Sequence, residues 1–143
     1  MKLISYAFFY GYIGTVLLAG FWGAFINPVY DFKLLFHANV QALPDSFRIN
    51  LLSQYRFLRA LELGFGIFTI IFRHEIFNTI KYNRLFLVIM GCGILSRIVS
   101  IIMDGQPNTL FYFFLIYELI SFIFIFIYTR NNIIANGSTG SNA

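Results

Sequence analysis

The sequence predicts an all-α fold: a transmembrane up-down four-helix bundle with a short interfacial segment between spans one and two. Three observations carry this. Hydrophobic residues make up 59% of the 143-residue chain and charged ones only 11%, against about 45–50% and about 25% in soluble domains. Four apolar stretches reach the roughly 20 residues that a crossing helix needs. The links between them are fairly short, and short links join antiparallel neighbours.

The first stretch, 3–26, follows Lys2. Its apolar run exceeds the h-region of a signal peptide, about 7–15 residues, and no small-x-small cleavage site closes it, so a retained span is expected. Asn27-Pro28 should end it, because proline disfavours helix in the residue before it. Residues 29–43 (VYDFKLLFHANVQAL) are mixed in polarity without a clean stripe, and predict a short helix at the interface. Pro44-Asp45-Ser46 supplies a turn and an N-cap for span two, 51–72. RHEIFNTIKYN, residues 73–83, links it to span three, 85–103. DGQPN, 104–108, carries the Asp-Gly and Pro signals of a tight turn before span four, 110–128. The membrane domain thus covers 1–130, and the small polar tail, 131–143, reads as disordered. Its sequon, Asn136-Gly137-Ser138, falls on the side where it has no meaning.

Basic residues set the orientation. Lys2, Arg73, Lys81, Arg84 and Arg130 lie on one side. Lys33 and Arg48 lie on the other, balanced by Asp31, Asp45 and Asp104. The positive-inside rule puts both termini in the cytoplasm and the 28–48 segment outside. The net charge of +4 is scattered and forms no basic face for nucleic acid.

The stretch SQYRFLRALELGFGIF, 53–68, places Arg56, Arg59 and Glu62 inside a span. A charge at bilayer depth costs a few kcal/mol on insertion scales. Counting inward from the outer ends of the spans, Arg56 lies at roughly 8 Å, Arg59 at roughly 12 Å and Glu62 at roughly 16 Å. Arg97 comes at roughly 9 Å and Glu118 at roughly 12 Å. All five fall in the outer half. At about 100° per residue, Arg56, Arg59 and Glu62 share a stripe with Tyr55 and Gly66. Gly93, Arg97, Ser100 and Asp104 share another, and Ser121 lies one turn from Glu118. Turned inward, these stripes set three Arg against two Glu, with Asp104 at the lip. Glycines on them would let helices approach closely. Intramembrane ion pairs can simply tie helices together. The surplus of guanidinium groups also suits a cavity for an anionic head group, because Arg offers forked donors to carboxylate or phosphate. Such a cavity is expected beside Arg56, Arg59 and Arg97.

Other features read as structural. Cys92 is the only cysteine, which rules out an intrachain disulfide and a Cys-based zinc site. His74-Glu75 has no second ligand at metal spacing and reads as a solvated loop, and His37 as interfacial. Ser96 has no His base at its depth. Gly11, Gly14, Thr15 and Trp22 line a packing face of span one. The Phe-rich span four reads most simply as lipid-facing. No metal or cofactor is expected.

The stretches YRFLRALELGFGIF and NRLFLVIMGCGILSRIVSIIMDGQPN resemble the bacterial domain-of-unknown-function family 4345. Its pattern has an Arg-Phe pair early in span two, a Gly-x-Gly soon after, and a Gly/Arg/Ser stripe ending in Asp-Gly-x-Pro. Arg56-Phe57, Gly64, Gly66, Gly93, Arg97, Ser100, Asp104-Gly105 and Pro107 match it. Members commonly have glycine around Ala60 and Leu61, whereas this chain has Ala60 and adds Glu62. The resemblance covers roughly residues 10–128 and implies a small four-span membrane protein, here of the bacterial inner membrane, with no established activity and no catalytic residues. The expected role is binding of a lipid or other amphipathic anion in an outward-facing pocket, or that of an accessory subunit with protein partners in a membrane complex. The alternative is a membrane enzyme or small transporter working through Arg56, Arg59, Glu62, Arg97 and Glu118. An enzyme would need Glu62 or Glu118 as its proton donor or nucleophile.

Overall fold

The computed structural model describes residues 1–139, and the side chains of residues 1–133. No strand occurs among the described residues. Helix α1 (Lys2–Phe21) runs into a π-helical turn (Trp22–Ile26). Then come α2 (Pro28–Phe36), a 3-10 turn (Val40–Ala42), α3 (Asp45–Ile71), α4 (Arg73–Asn78), α5 (Ile80–Met103) and α6 (Thr109–Thr139). Three stretches are long and apolar enough to cross a membrane: Lys2–Ile26, Ile80–Met103 and Thr109–Ile133. At 27 residues α3 has the length, but Asp45, Arg48, Arg56, Arg59 and Glu62 lower its apolarity.

Two compact units form, one from residues 1–12 with 69 onward, the other from 13–68. In the first, aromatic rings make the core. Phe9, Phe77 and Phe86 are fully buried. Tyr6 stacks on Phe77 at 4.3 Å, Phe8 stacks on Phe124 at 5.0 Å, and Phe9 meets Phe77 edge-on at 5.0 Å. Such pairs add about 0.5–1.5 kcal/mol beyond their buried area. Hydrogen bonds join the helices: Ser5 Oγ donates to Phe124 O at 2.9 Å, and Asn83 Nδ2 to Ile76 O at 3.0 Å.

Three expectations change in this unit. The 73–83 link contains α4, whose Ile76 and Phe77 are buried, and α5 begins at Ile80, ahead of the expected Leu85. Glu75 is not a solvated loop residue, since its Oε2 is buried, without a hydrogen-bond partner among the described residues. Helix α6 is not simply lipid-facing: Ser121, Ile125 and Thr129, spaced by four, are fully buried. That helix is described to Thr139. Asn132 helps hold it, donating from Nδ2 to Phe77 O at 3.1 Å. Residues 140–143 lie outside the described residues.

In the second unit the Asn27-Pro28 break acts as expected. Pro28 has no N–H to donate to the Ala24 carbonyl four residues back, so the helix cannot continue regularly. The chain loosens into the π turn, and Asn27 N–H bonds Trp22 O at 3.1 Å. Asn27 Oδ1 then accepts from Tyr30 N at 3.0 Å, so Asn27 caps α2 with proline at its first position. A clean stripe does exist on α2: Pro28, Asp31, Phe32 and Leu35 are its buried residues, at the i, i+3, i+4, i+7 spacing of one helical face. The carboxylate among them hides it in the sequence.

Candidate functional site

The second unit gathers charged side chains around Arg59. Glycine makes the room. A Cβ at Gly20 would lie 2.7 Å from Leu63 N, so the backbones of α1 and α3 nearly touch there. A Cβ at Gly23 would lie 2.6 Å from Arg59 Cγ and 2.7 Å from Asp31 Oδ2. These two glycines, neither singled out by the charged stripes, let Arg59 and Asp31 share the space beside the π turn. Of the stripe glycines, Gly66 does meet α1, its Cβ position falling 2.7 Å from Leu17. Gly93 has nothing within 4 Å, so it provides no close approach.

Arg59 is saturated. Its Nη1 donates to Glu62 Oε2 at 2.6 Å and its Nε to Tyr55 Oη at 2.8 Å. The Tyr55 hydroxyl in turn donates to Asp31 Oδ2 at 3.0 Å, and that oxygen stands 3.9 Å from Arg59 Nε. The Arg59 guanidinium also lies 5.0 Å from the Tyr55 ring centroid, where a cation is attracted by the ring face. Phe32 at 4.8 Å and Phe36 at 6.3 Å hold that ring from α2. Asp31 is only 8% exposed. It was counted in the sequence only for orientation, although its place in the Pro28, Phe32, Leu35 stripe was a signal that could have found it. Two carboxylates thus serve one guanidinium, which offsets the desolvation of all three.

Arg56 is served differently. Its acceptor among the described residues is a backbone carbonyl, Ala24 O, reached by Nη1. That carbonyl is the one Pro28 leaves without its helical donor. No carboxylate lies within ion-pair reach of Arg56 among the described residues, and the side chain is exposed.

The other predicted site residues belong to the first unit. Arg97 Nε donates to Glu118 Oε2 at 2.9 Å, joining charges at similar depth on adjacent helices. Ser100 Oγ donates to Asp104 Oδ2 at 2.9 Å, so Asp104 turns to its own helix end and takes no Arg. Ser121 Oγ donates back to Tyr117 O at 2.7 Å, and Ser96 Oγ to Gly93 O at 2.8 Å. The cavity expected beside Arg56, Arg59 and Arg97 draws on residues of both units. No group of three or more His, Cys, Asp or Glu residues that could hold a metal ion occurs among the described residues.

Three helices long and apolar enough to cross a membrane, with an ion pair joining two of them, are compatible with a multi-pass membrane protein. A family model described as Domain of unknown function (DUF4345) matches residues 3–129, and the chain belongs to that family. No curated protein and no solved structure matches it.

Proposed function

We propose that the protein crosses the bacterial inner membrane four times, with α3 as the additional crossing helix and both termini in the cytoplasm, and that it binds an amphipathic anion at Arg56. The observation that carries this reading is the unequal treatment of the three arginines. Arg59 and Arg97 each meet a carboxylate at hydrogen-bond distance, whereas among the described residues Arg56 meets a carbonyl and no carboxylate. A guanidinium has five donors in a fork that matches phosphate or carboxylate. At roughly 8 Å below the outer membrane boundary, the free edge of Arg56 needs an anion or water to offset its charge. A lipid head group provides both the charge and the depth.

The test is lipid retention. The protein purified in a mild detergent is mixed with dioleoylphosphatidylglycerol or dioleoylphosphatidylcholine, and bound lipid is counted by native mass spectrometry. The anionic lipid should be held preferentially, and Arg56→Gln should weaken it about tenfold, the loss of one charge-assisted bond. Equal retention of both lipids, or unchanged preference in the Arg56→Gln protein, refutes the reading.

A further inference from the structure

Helix α2 carries basic side chains on the face turned away from Asp31. Val29, Lys33 and His37 follow one another at four-residue spacing, and so share one stripe of the helix. Lys33 and His37 are exposed. At the end of the helix His37 takes a left-handed backbone, with φ of 51°, and the chain turns. Ala38, Asn39 and Gln41 from that turn join the stripe in lining one cavity of about 530 Å³. We infer that this cavity binds an anionic phosphate group, separately from the anion at Arg56.

The lining is rich in donors and holds no carboxylate. Lys33 brings a full positive charge and three N–H groups, and its ammonium has no ion pair or hydrogen bond to any described residue. Asp31 lies about 200° round the helix from Lys33, is buried, and accepts from Tyr55. Asp45 is taken by Arg48 at 2.7 Å. Asn39 Oδ1 accepts from Gln41 N at 3.2 Å, so the acceptor end of that side chain is committed and its Nδ2 is left to donate. The Gln41 carboxamide has no hydrogen bond to any described residue. His37 adds an imidazole, which donates from at least one ring nitrogen. The C-terminal end of a helix carries about half a negative charge. The whole charge on Lys33 outweighs it, and the Phe32 carbonyl there is occupied by Ala38 N at 3.1 Å. A cation would meet the Lys33 ammonium and find no carboxylate. The oxygens of a phosphate group accept from ammonium, carboxamide and imidazole alike. Two sources carry such a group, a free ion and a lipid head group. At about 100° per residue, Phe36 falls on one side of the basic stripe and Tyr30 and Leu34 on the other, all exposed, which is the apolar flank that a lipid would use.

The chain's two histidines, His37 and His74, lie in different units, so the His37 ring signal in a nuclear magnetic resonance spectrum reports this cavity. The full chain, with isotopically labelled histidine, is held in dodecyl maltoside micelles, and a His74→Gln sample assigns the signals. It is titrated at constant pH and ionic strength with inorganic phosphate, dihexanoylphosphatidylglycerol or dihexanoylphosphatidylcholine. We expect the His37 signal to move saturably with phosphate or phosphatidylglycerol, half-way below about 1 mM, and far less with the zwitterionic lipid. Lys33→Gln should weaken the response about tenfold and Gln41→Ala about threefold, while Lys33→Arg retains it. Far-UV circular dichroism checks that each variant keeps its helix content. The titrations are repeated in an Arg56→Gln background, which removes the other anion and in which the His37 response should persist. A response to inorganic phosphate makes the ligand a free ion, and a response to phosphatidylglycerol alone makes it a lipid head group; either supports the site. No saturable movement with either, equal movement with the zwitterionic lipid, or a full response in Lys33→Gln overturns the inference. Loss of the response in the Arg56→Gln background assigns it to the Arg56 anion and overturns a separate site. Lipid retention at Arg56 is read by its own measurement, so failure here leaves that reading standing.

Discussion

Tyr55→Phe removes one oxygen from the network around Arg59 and leaves the ring where Phe32 and Phe36 hold it. Two hydrogen bonds go with that oxygen, from Arg59 Nε at 2.8 Å and to Asp31 Oδ2 at 3.0 Å. Hydrogen bonds to charged groups contribute about 1.5–3 kcal/mol each in soluble proteins, but polar contacts between membrane helices average about 0.6 and reach about 1.7. Arg59 keeps Glu62 at 2.6 Å, and its approach to Asp31 at 3.9 Å recovers part of the loss. The expected destabilisation is therefore about 2 kcal/mol. Trp22 is the only tryptophan. It belongs to the same unit and meets Tyr30 edge-on at 6.4 Å, so its fluorescence reports unfolding there. Equilibrium titration with sodium dodecyl sulfate then gives the free energy for the wild type, Tyr55→Phe, Asp31→Asn and the double variant. Because the two residues share one bond, the double variant should lose about 1 kcal/mol less than the sum of the singles. A Tyr55→Phe loss below about 0.3 kcal/mol, or strict additivity of the pair, would refute the claim that this network binds α2 to α3.

Arg97 and Glu118 should behave as a pair: either neutralised alone destabilises by a few kcal/mol, the double change by less than the sum, and additive losses in the same titration would separate them. The glycines should divide by neighbourhood. Gly23→Ala meets Arg59 Cγ and Asp31 Oδ2 and should cost about 1–3 kcal/mol. Gly93→Ala meets nothing and should stabilise α5 by about 0.5–1 kcal/mol; equal effects would contradict the packing described. For topology, single cysteines at Asp45 and Asn108 in a Cys92→Ser background should react with an impermeant maleimide on intact cells, and one at His74 should not. Strong labelling at position 74 would reverse the orientation.

Much of this architecture was legible in the sequence because it depends on local geometry. Apolar length sets where helices can cross, and a proline without an N–H sets where α1 must break. A fixed rise per residue is enough to put Arg97 level with Glu118, and the turn between α5 and α6 brings them together. Asp104 likewise bonds within its own helix end, through Ser100. The sequence could also count three arginines against too few nearby carboxylates. It could not say which arginine would go short. That was decided by approaches between residues far apart in the chain: Gly20 admits α3 against α1, and Gly23 leaves space into which α2 turns Asp31. The acid counted only as an outer charge therefore reaches Arg59 through Tyr55, and Arg56 is left with the carbonyl that Pro28 had freed. Depth and helical face follow from backbone repeat distances, which every sequence shares. The partner of a charge follows from how closely two backbones can pack, and that depends on both helices at once.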